Sequence, residues 1–186
     1  MTVFVYILFS MAMGIQALLV LRSSASHVSV RLGKGLLISA IIAVVGCALL
    51  LLGVWLAGLW RYRLRSVDAY TFLGIMLLLV VKMLLNVFGK QRGPQAYDIS
   101  RMATVALLAV ALGLDCLIGG MAFGFLDTIA AGGVRAGVSL GVAVFMLSYL
   151  GVMLGRRHVE VRQRRWQLFS VLFVLATVFI ALQRSL

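Results

Sequence analysis

The chain has 186 residues, of which 63% are hydrophobic and only 12% are charged. Soluble domains are about half apolar and about a quarter charged, so this composition excludes a soluble globular enzyme and also a disordered chain. The formal net charge is +12, but the basic residues lie almost entirely in short gaps between apolar runs. The preference of Lys and Arg for the cytoplasmic side of a membrane explains this placement, and we expect no nucleic-acid partner.

Six apolar runs follow one another along the chain, close to the length of about 20 residues that a transmembrane helix needs. They cover residues 1–21, 36–60, 70–89, 102–126, 133–155 and 166–182. A backbone in lipid must satisfy its own hydrogen bonds, so these runs predict an all-α membrane protein with six transmembrane helices. The first run has no basic residue before it, which predicts a retained helix and not a cleaved signal peptide.

The loops predict which way the helices cross the membrane. The gaps 22–35, 90–101 and 156–165 share one side and contain eleven Lys and Arg residues, whereas the other side has five. The more basic side is expected to be cytoplasmic, so both termini are predicted to be non-cytoplasmic. The Arg61–Arg65 cluster lies on the opposite side and works against this orientation. We expect a multi-pass protein of the inner (plasma) membrane.

Two sequence matches at nearly the same offset indicate an internal repeat. Residues 12–19 resemble residues 111–118 at an offset of 99, and residues 52–56 resemble residues 150–154 at an offset of 98. Each half contains three helices, so the two halves would have opposite orientations. This is the inverted-repeat plan of many transporters, whose substrate sites lie near the midplane between the repeats.

The repeat predicts one integral membrane domain over residues 1–186. Its first three-helix repeat covers 1–89, and its second covers 102–186. The linker loop between them, 90–101, contains Pro94, the chain's one proline.

Polar residues within the apolar runs are the candidate functional residues. Asp115 lies in the middle of the fourth run, where a carboxylate is costly and usually faces a cavity or the bundle interior. It can be a cation ligand or proton carrier, and it can form a buried ion pair with Lys82 of the third run. The repeat superimposes Gln16 on Asp115, which indicates the first and fourth helices as the central pair.

Three neutral polar residues are weaker candidates, and no enzyme motif accompanies them. Gln16, Asn86 and Ser148 can each offer an oxygen to a cation or hydrogen-bond between helices as structural glue. The sequence has no P-loop, nucleophile elbow or dinucleotide fingerprint. We therefore expect neither an enzyme nor a bound cofactor.

Four segments, residues 13–17, 82–86, 111–116 and 150–155, together resemble a known family. Their order and residues are similar to those of the MntP-type manganese exporters of the LysE superfamily. The resemblance implies a six-helix cation exporter with an Asp in helix 1, another in helix 4, and further acidic residues in helices 2 and 3.

Carried over residue by residue, the resemblance implies a site with reduced charge. Asp115 matches the helix 4 Asp, but Gln16 stands at the helix 1 Asp position and Asn86 at the helix 3 acidic position. Lys82 keeps the basic position before it, and helix 2 has no carboxylate around residues 42–46. The candidate metal ligands are thus Asp115, Gln16 and Asn86, with Lys82 as a modulating ion-pair partner. Because Mn²⁺ favours carboxylate and carbonyl oxygens, this set holds a divalent ion weakly.

The expected function is secondary transport of a cation, either Mn²⁺ or a monovalent or organic cation suited to the altered site. The expected partners are the lipid bilayer and the cation substrate. The alternative is a non-transporting structural or accessory subunit in which Asp115 and Lys82 form a structural pair. A membrane thiol-disulfide carrier is a third possibility, but it needs a reactive Cys in each half, and the repeat matches Cys116 with Ala17.

Overall fold

A computed structural model describes residues 2–26, 32–64, 68–88, 97–99, 101–125, 133–156 and 163–185. These residues contain six helices and no strand, which confirms the predicted all-α class. The helices are α1 (Thr2–Ala25), α2 (Leu32–Leu64), α3 (Asp68–Phe88), α4 (Met102–Phe125), α5 (Gly133–Arg156) and α6 (Gln163–Ser185).

Four of the helices are long and apolar enough to cross a membrane. Their candidate spans are Phe4–Ala25, Gly33–Trp60, Met102–Phe125 and Val134–Arg156. The apolar segments described in α3 and α6 are shorter, Tyr70–Leu85 and Arg165–Ala181. Large apolar side chains cover much of the outer surface, among them Trp55, Leu107 and Phe179. This is the surface expected of a protein solvated by lipid.

Several helices extend three or four residues beyond the predicted ends of their apolar runs: α1 continues past residue 21 to Ala25, α2 begins at Leu32 before residue 36, and α6 continues past residue 182 to Ser185. Helix α2 continues to Leu64, beyond the predicted end of its apolar run at residue 60, and α6 begins at Gln163 instead of residue 166. Arg61 and Arg63 therefore belong to a helix and not to a loop. Arg is a good helix former, so a helix can continue past the end of its apolar run. Pro94 and most of the predicted linker loop lie outside the described residues.

Helices α2 and α4 pack so closely that glycines form the contact. A Cβ atom on Gly53 of α2 would overlap the carbonyl oxygen of Leu117, and one on Gly120 of α4 would overlap that of Leu50. A turn further along, Gly124 faces Ala57. The contacts advance in the same direction along both helices, so α2 and α4 run parallel. The Gly120-xxx-Gly124 stripe thus lets the two backbones approach closely.

Helices α1 and α5 form a second close, parallel pair. Gly151 of α5 lies against the carbonyl oxygen of Leu18, and Gly155 lies against that of Arg22. The hydroxyls of Ser10 and Ser139 hydrogen-bond across this pair at 3.2 Å. The Gly151-xxx-Gly155 stripe is therefore also a helix-packing surface.

The two pairs are joined by further contacts. Helix α2 packs on α5, α6 packs on α1 and α3, and α3 packs on α4. Between α1 and α4, the rings of Phe9 and Phe123 meet edge to face with centroids 4.9 Å apart. Apart from this pair of rings, there are few contacts between α1 and α4. The helices predicted as a central pair thus each pack on a helix of the other half and leave space between them.

We expect Gly53→Ala to destabilise the protein and Gly58→Ala to leave it at least as stable as the wild type, since Ala is the better helix former. The new methyl at residue 53 would meet only backbone atoms of α4, including Met121 N at 2.8 Å, whereas a methyl at Gly58 would meet nothing within 4 Å. Overpacking of this kind costs about 1–3 kcal/mol. Thermal unfolding of both variants in detergent would test this. Equal melting temperatures would contradict the close packing of α2 on α4.

Candidate functional site

Lys82 and Asp115 form an ion pair between α3 and α4. The Lys82 ammonium donates a hydrogen bond to Asp115 Oδ1. The side chain of Asp115 is 10% exposed, whereas that of Lys82 is 43% exposed. The pairing expected from the sequence is therefore present, and the Lys82 amine turns towards the carboxylate and not towards a membrane interface. The pair is also asymmetric, because the carboxylate is the enclosed partner.

Asp115 also borders a cavity of about 150 Å³ where α1, α3, α4 and α6 meet. One water molecule needs about 10–15 Å³ of such space, so the cavity has room for several waters or a partly hydrated ion. Its polar lining residues are Gln16, Asp115, Gln167 and Ser170, and its apolar ones are Leu19, Val20, Met83, Val87, Leu112 and Val171. Among the described lining residues, Asp115 is the charged one.

Gln16, which the repeat superimposes on Asp115, lines the same 150 Å³ cavity as Asp115. It also lines a second cavity of about 10 Å³. The second cavity reaches Gly46 and Cys116. Gln16 and Leu112 border both spaces, so they form the wall between them. An amide in this wall can turn its oxygen towards a cation at Asp115.

Two predicted residues remain, Asn86 and Ser148. Asn86 belongs to α3, one turn after Lys82, but its side chain lies outside the described part of the chain. Ser148 is buried in α5, and its hydroxyl has no hydrogen-bond partner among the described residues. It lines neither cavity.

Gln167 and Ser170 of α6 line the cavity and were missed by the sequence analysis. Ser170 donates a hydrogen bond to the carbonyl oxygen of Ala12 at 2.8 Å, which ties α6 to α1 next to the cavity. The signal was available, because Gln167 and Ser170 stand at positions i and i+3 of the sixth run and so share a helix face. Their place at the start of that run made them resemble interfacial residues.

The described residues offer few carboxylate, thiolate or imidazole ligands for a metal ion at this site. Across the residues that the structure describes, no three His, Cys, Asp or Glu side chains are grouped so that they could hold a metal ion. Both thiols are free, and Cys47 donates a hydrogen bond to the carbonyl oxygen of Gly137 at 3.0 Å. A cation at Asp115 would therefore take its other ligands from amide or hydroxyl oxygens and water.

A family model matches residues 29–180 of the chain; it is Mntp, described as "Putative manganese efflux pump". The matched residues include Lys82, Asn86 and Asp115, whereas Gln16 precedes them. No curated protein and no solved structure matches the chain. The match covers most of the chain and agrees with the motifs of the third, fourth and fifth helices. The protein therefore belongs to the Mntp family of manganese efflux pumps.

Proposed function

We propose that the protein is a secondary transporter that exports Mn²⁺ across the plasma membrane, with Asp115 as the central cation ligand. The observation that carries this proposal is the cavity in which Asp115 and Gln16 meet, at the junction of helices from both halves of the chain. Family membership supports manganese as the substrate. The enclosed position of Asp115 supports a functional role, since intramembrane carboxylates usually mark ion pathways.

The chemistry of the cavity suits a cation that keeps part of its water. Mn²⁺ favours carboxylate and carbonyl oxygens. Asp115 offers a carboxylate, Gln16 and Gln167 offer amide oxygens, and Ser170 offers a hydroxyl. We include Asn86 as a proposed ligand because it follows Lys82 by one turn of α3. With a single carboxylate, the ion is held loosely enough to leave again, as a transported ion must be.

An inverted repeat would allow the cavity to open alternately to the two sides. The packing supports such a repeat, because contacts between α1 and α5 recur between α4 and α2 at the sequence offsets of 99 and 98. Three contacts are matched in this way: Gly14–Leu147 with Gly113–Leu49, Leu18–Gly151 with Leu117–Gly53, and Ala25–Gly155 with Gly124–Ala57. We therefore propose two three-helix repeats, over residues 1–89 and 102–186, joined by the 90–101 loop.

The parallel pairs also support six membrane crossings. Because α2 and α4 run parallel, the chain must return across the membrane between them, which assigns a crossing to α3 despite its short apolar segment. The same reasoning applies to α1 and α5. With α6 as the sixth crossing, both termini would lie on one side, and the distribution of Lys and Arg supports a non-cytoplasmic location for that side.

We expect a reporter fused after Leu186 to indicate a non-cytoplasmic C-terminus. Alkaline phosphatase, which is active outside the cytoplasm, should be active there, and green fluorescent protein should stay dark when exported through the same route. A fusion within the 90–101 loop is the matched control and should give the opposite pattern. A C-terminal fusion that fluoresces would contradict the proposed orientation.

Transport itself is tested by complementation and in vesicles. The wild-type protein should restore growth in high Mn²⁺ to a bacterium that lacks its own exporter, and Asp115→Asn should not, because it removes the carboxylate that borders the cavity. Asp98→Asn is the matched control, since it makes the same change at an exposed carboxylate. In proteoliposomes, a manganese-quenched dye measures the same activity per folded protein. Folded wild-type protein that moves no Mn²⁺ would favour the structural subunit.

A further inference from the structure

The Asp115 carboxylate has two neighbours of different kinds. It borders the cavity, and none of the described residues of that lining is a Lys, Arg or His. It also accepts a hydrogen bond from Lys82, which is not among the described residues of that lining. A cation that enters from the cavity therefore competes with an ammonium that belongs to the protein.

The exposures of the two partners indicate which one moves. Asp115 is fixed in α4 between packed neighbours, with 10% of its side chain exposed, whereas 43% of the Lys82 side chain is exposed. A lysine stem is long and flexible, so the amine can leave the carboxylate and still reach a polar environment. Asp115 has no such freedom. Departure of Lys82 is thus the motion that frees the carboxylate for a cation.

We propose that Lys82 is a tethered counter-cation, which neutralises Asp115 when the cavity holds no substrate and so lets the empty carrier return across the membrane. This inference rests on the proposed transport function. In the loaded carrier, the carboxylate binds the transported cation and the ammonium is displaced. In the empty carrier, the ammonium takes the place of the cation. Without the ammonium, the carboxylate would stay uncompensated in the low-dielectric core during the return step, which is costly.

If Lys82 neutralises Asp115 in the empty carrier, net efflux of Mn²⁺ does not require a cation on the side to which Mn²⁺ is exported. A carrier without the tethered cation returns only when another cation fills the site, so it exchanges one ion for another but does not perform net transport. Lys82→Met removes the charge while keeping a long apolar side chain. It is therefore expected to retain exchange and lose net efflux, whereas Lys82→Arg should keep both.

The experiment compares two modes in proteoliposomes loaded with radioactive Mn²⁺. Net efflux is measured into buffer without divalent cations, and exchange is measured into buffer containing unlabelled Mn²⁺. For Lys82→Met we expect exchange near the wild-type rate and net efflux lower by about tenfold or more, which corresponds to at least about 1.4 kcal/mol on the return step. Equal reductions in both modes, or in neither, would overturn the proposal.

A second measurement needs no variant and so does not depend on how well Lys82→Met folds. Net efflux by the wild-type protein should be unchanged when external Na⁺ and K⁺ are replaced by the impermeant cation N-methylglucamine. A strong requirement for an external small cation would overturn the tethered role while leaving transport intact. If the wild-type protein moves Mn²⁺ in neither mode, the proposed function itself fails, and this inference fails with it.

Discussion

Asp115→Asn and Lys82→Met should each reduce the stability of the folded protein, and the double variant should recover much of the loss. Each single change leaves one charge of the ion pair without its partner. Breaking a buried ion pair costs about 3–5 kcal/mol in soluble proteins, and a charge at the bilayer centre costs about 2.5–3.5 kcal/mol on insertion scales. The double variant leaves no unpaired charge in the core.

The two single substitutions should reduce the stability of the folded protein by different amounts. Lys82→Met isolates a carboxylate that is 10% exposed, whereas Asp115→Asn isolates an ammonium on a stem that is 43% exposed. The ammonium can turn towards an interface, but the carboxylate cannot. Lys82→Met is therefore expected to be the more damaging change.

Thermal unfolding of the four proteins in one detergent measures the coupling between the two residues. Interacting residues in such cycles typically show coupling energies of about 0.5–3 kcal/mol. Losses that simply add in the double variant would show that the two charges do not stabilise each other. The folded double variant should also be inactive in vesicles, because its cavity lacks the Asp115 carboxylate. Transport at the normal rate would contradict a role for Asp115 as a ligand.

The helices were predictable because the length of an apolar run is a direct physical requirement of the bilayer. Their ends were not, because nothing in the hydropathy of α2 marks Leu64 as its last residue. The Arg residues beyond Trp60 end the apolar run but not the helix. Helix ends depend on local hydrogen bonding and propensity, which vary little between Arg, Leu and Ala.

The candidate site was predictable where its residues are polar or charged and lie within an otherwise apolar run. Asp115 and Lys82 stand out in any apolar run, and the repeat drew attention to Gln16. Gln167 and Ser170 do not stand out, since only the packing of α6 against α1 brings them to the cavity. The two halves match in sequence over only two short segments, because many apolar residues can replace one another on a surface that faces lipid. The glycine contacts that recur at the same offsets are more informative, since only a small residue fits there.

Gln16→Asp should strengthen binding of Mn²⁺ to the purified protein. It places a second carboxylate beside the cavity that Asp115 lines, so a divalent ion would meet two anionic ligands with Lys82 free to withdraw. Carboxylate oxygens are preferred ligands of Mn²⁺.

We expect the dissociation constant to fall by about tenfold or more, since each factor of ten requires only about 1.4 kcal/mol. Titration of Mn²⁺, followed by the electron paramagnetic resonance signal of the free ion, measures this directly. Gln16→Asn is the matched control, because it adds no charge and should leave the affinity close to that of the wild type. The same Gln16→Asp change combined with Asp115→Asn restores a single carboxylate and should lose most of the gain. If the folded Gln16→Asp variant binds Mn²⁺ no better than the wild type, then Gln16 and Asp115 do not share a cation site, and their common cavity serves another purpose.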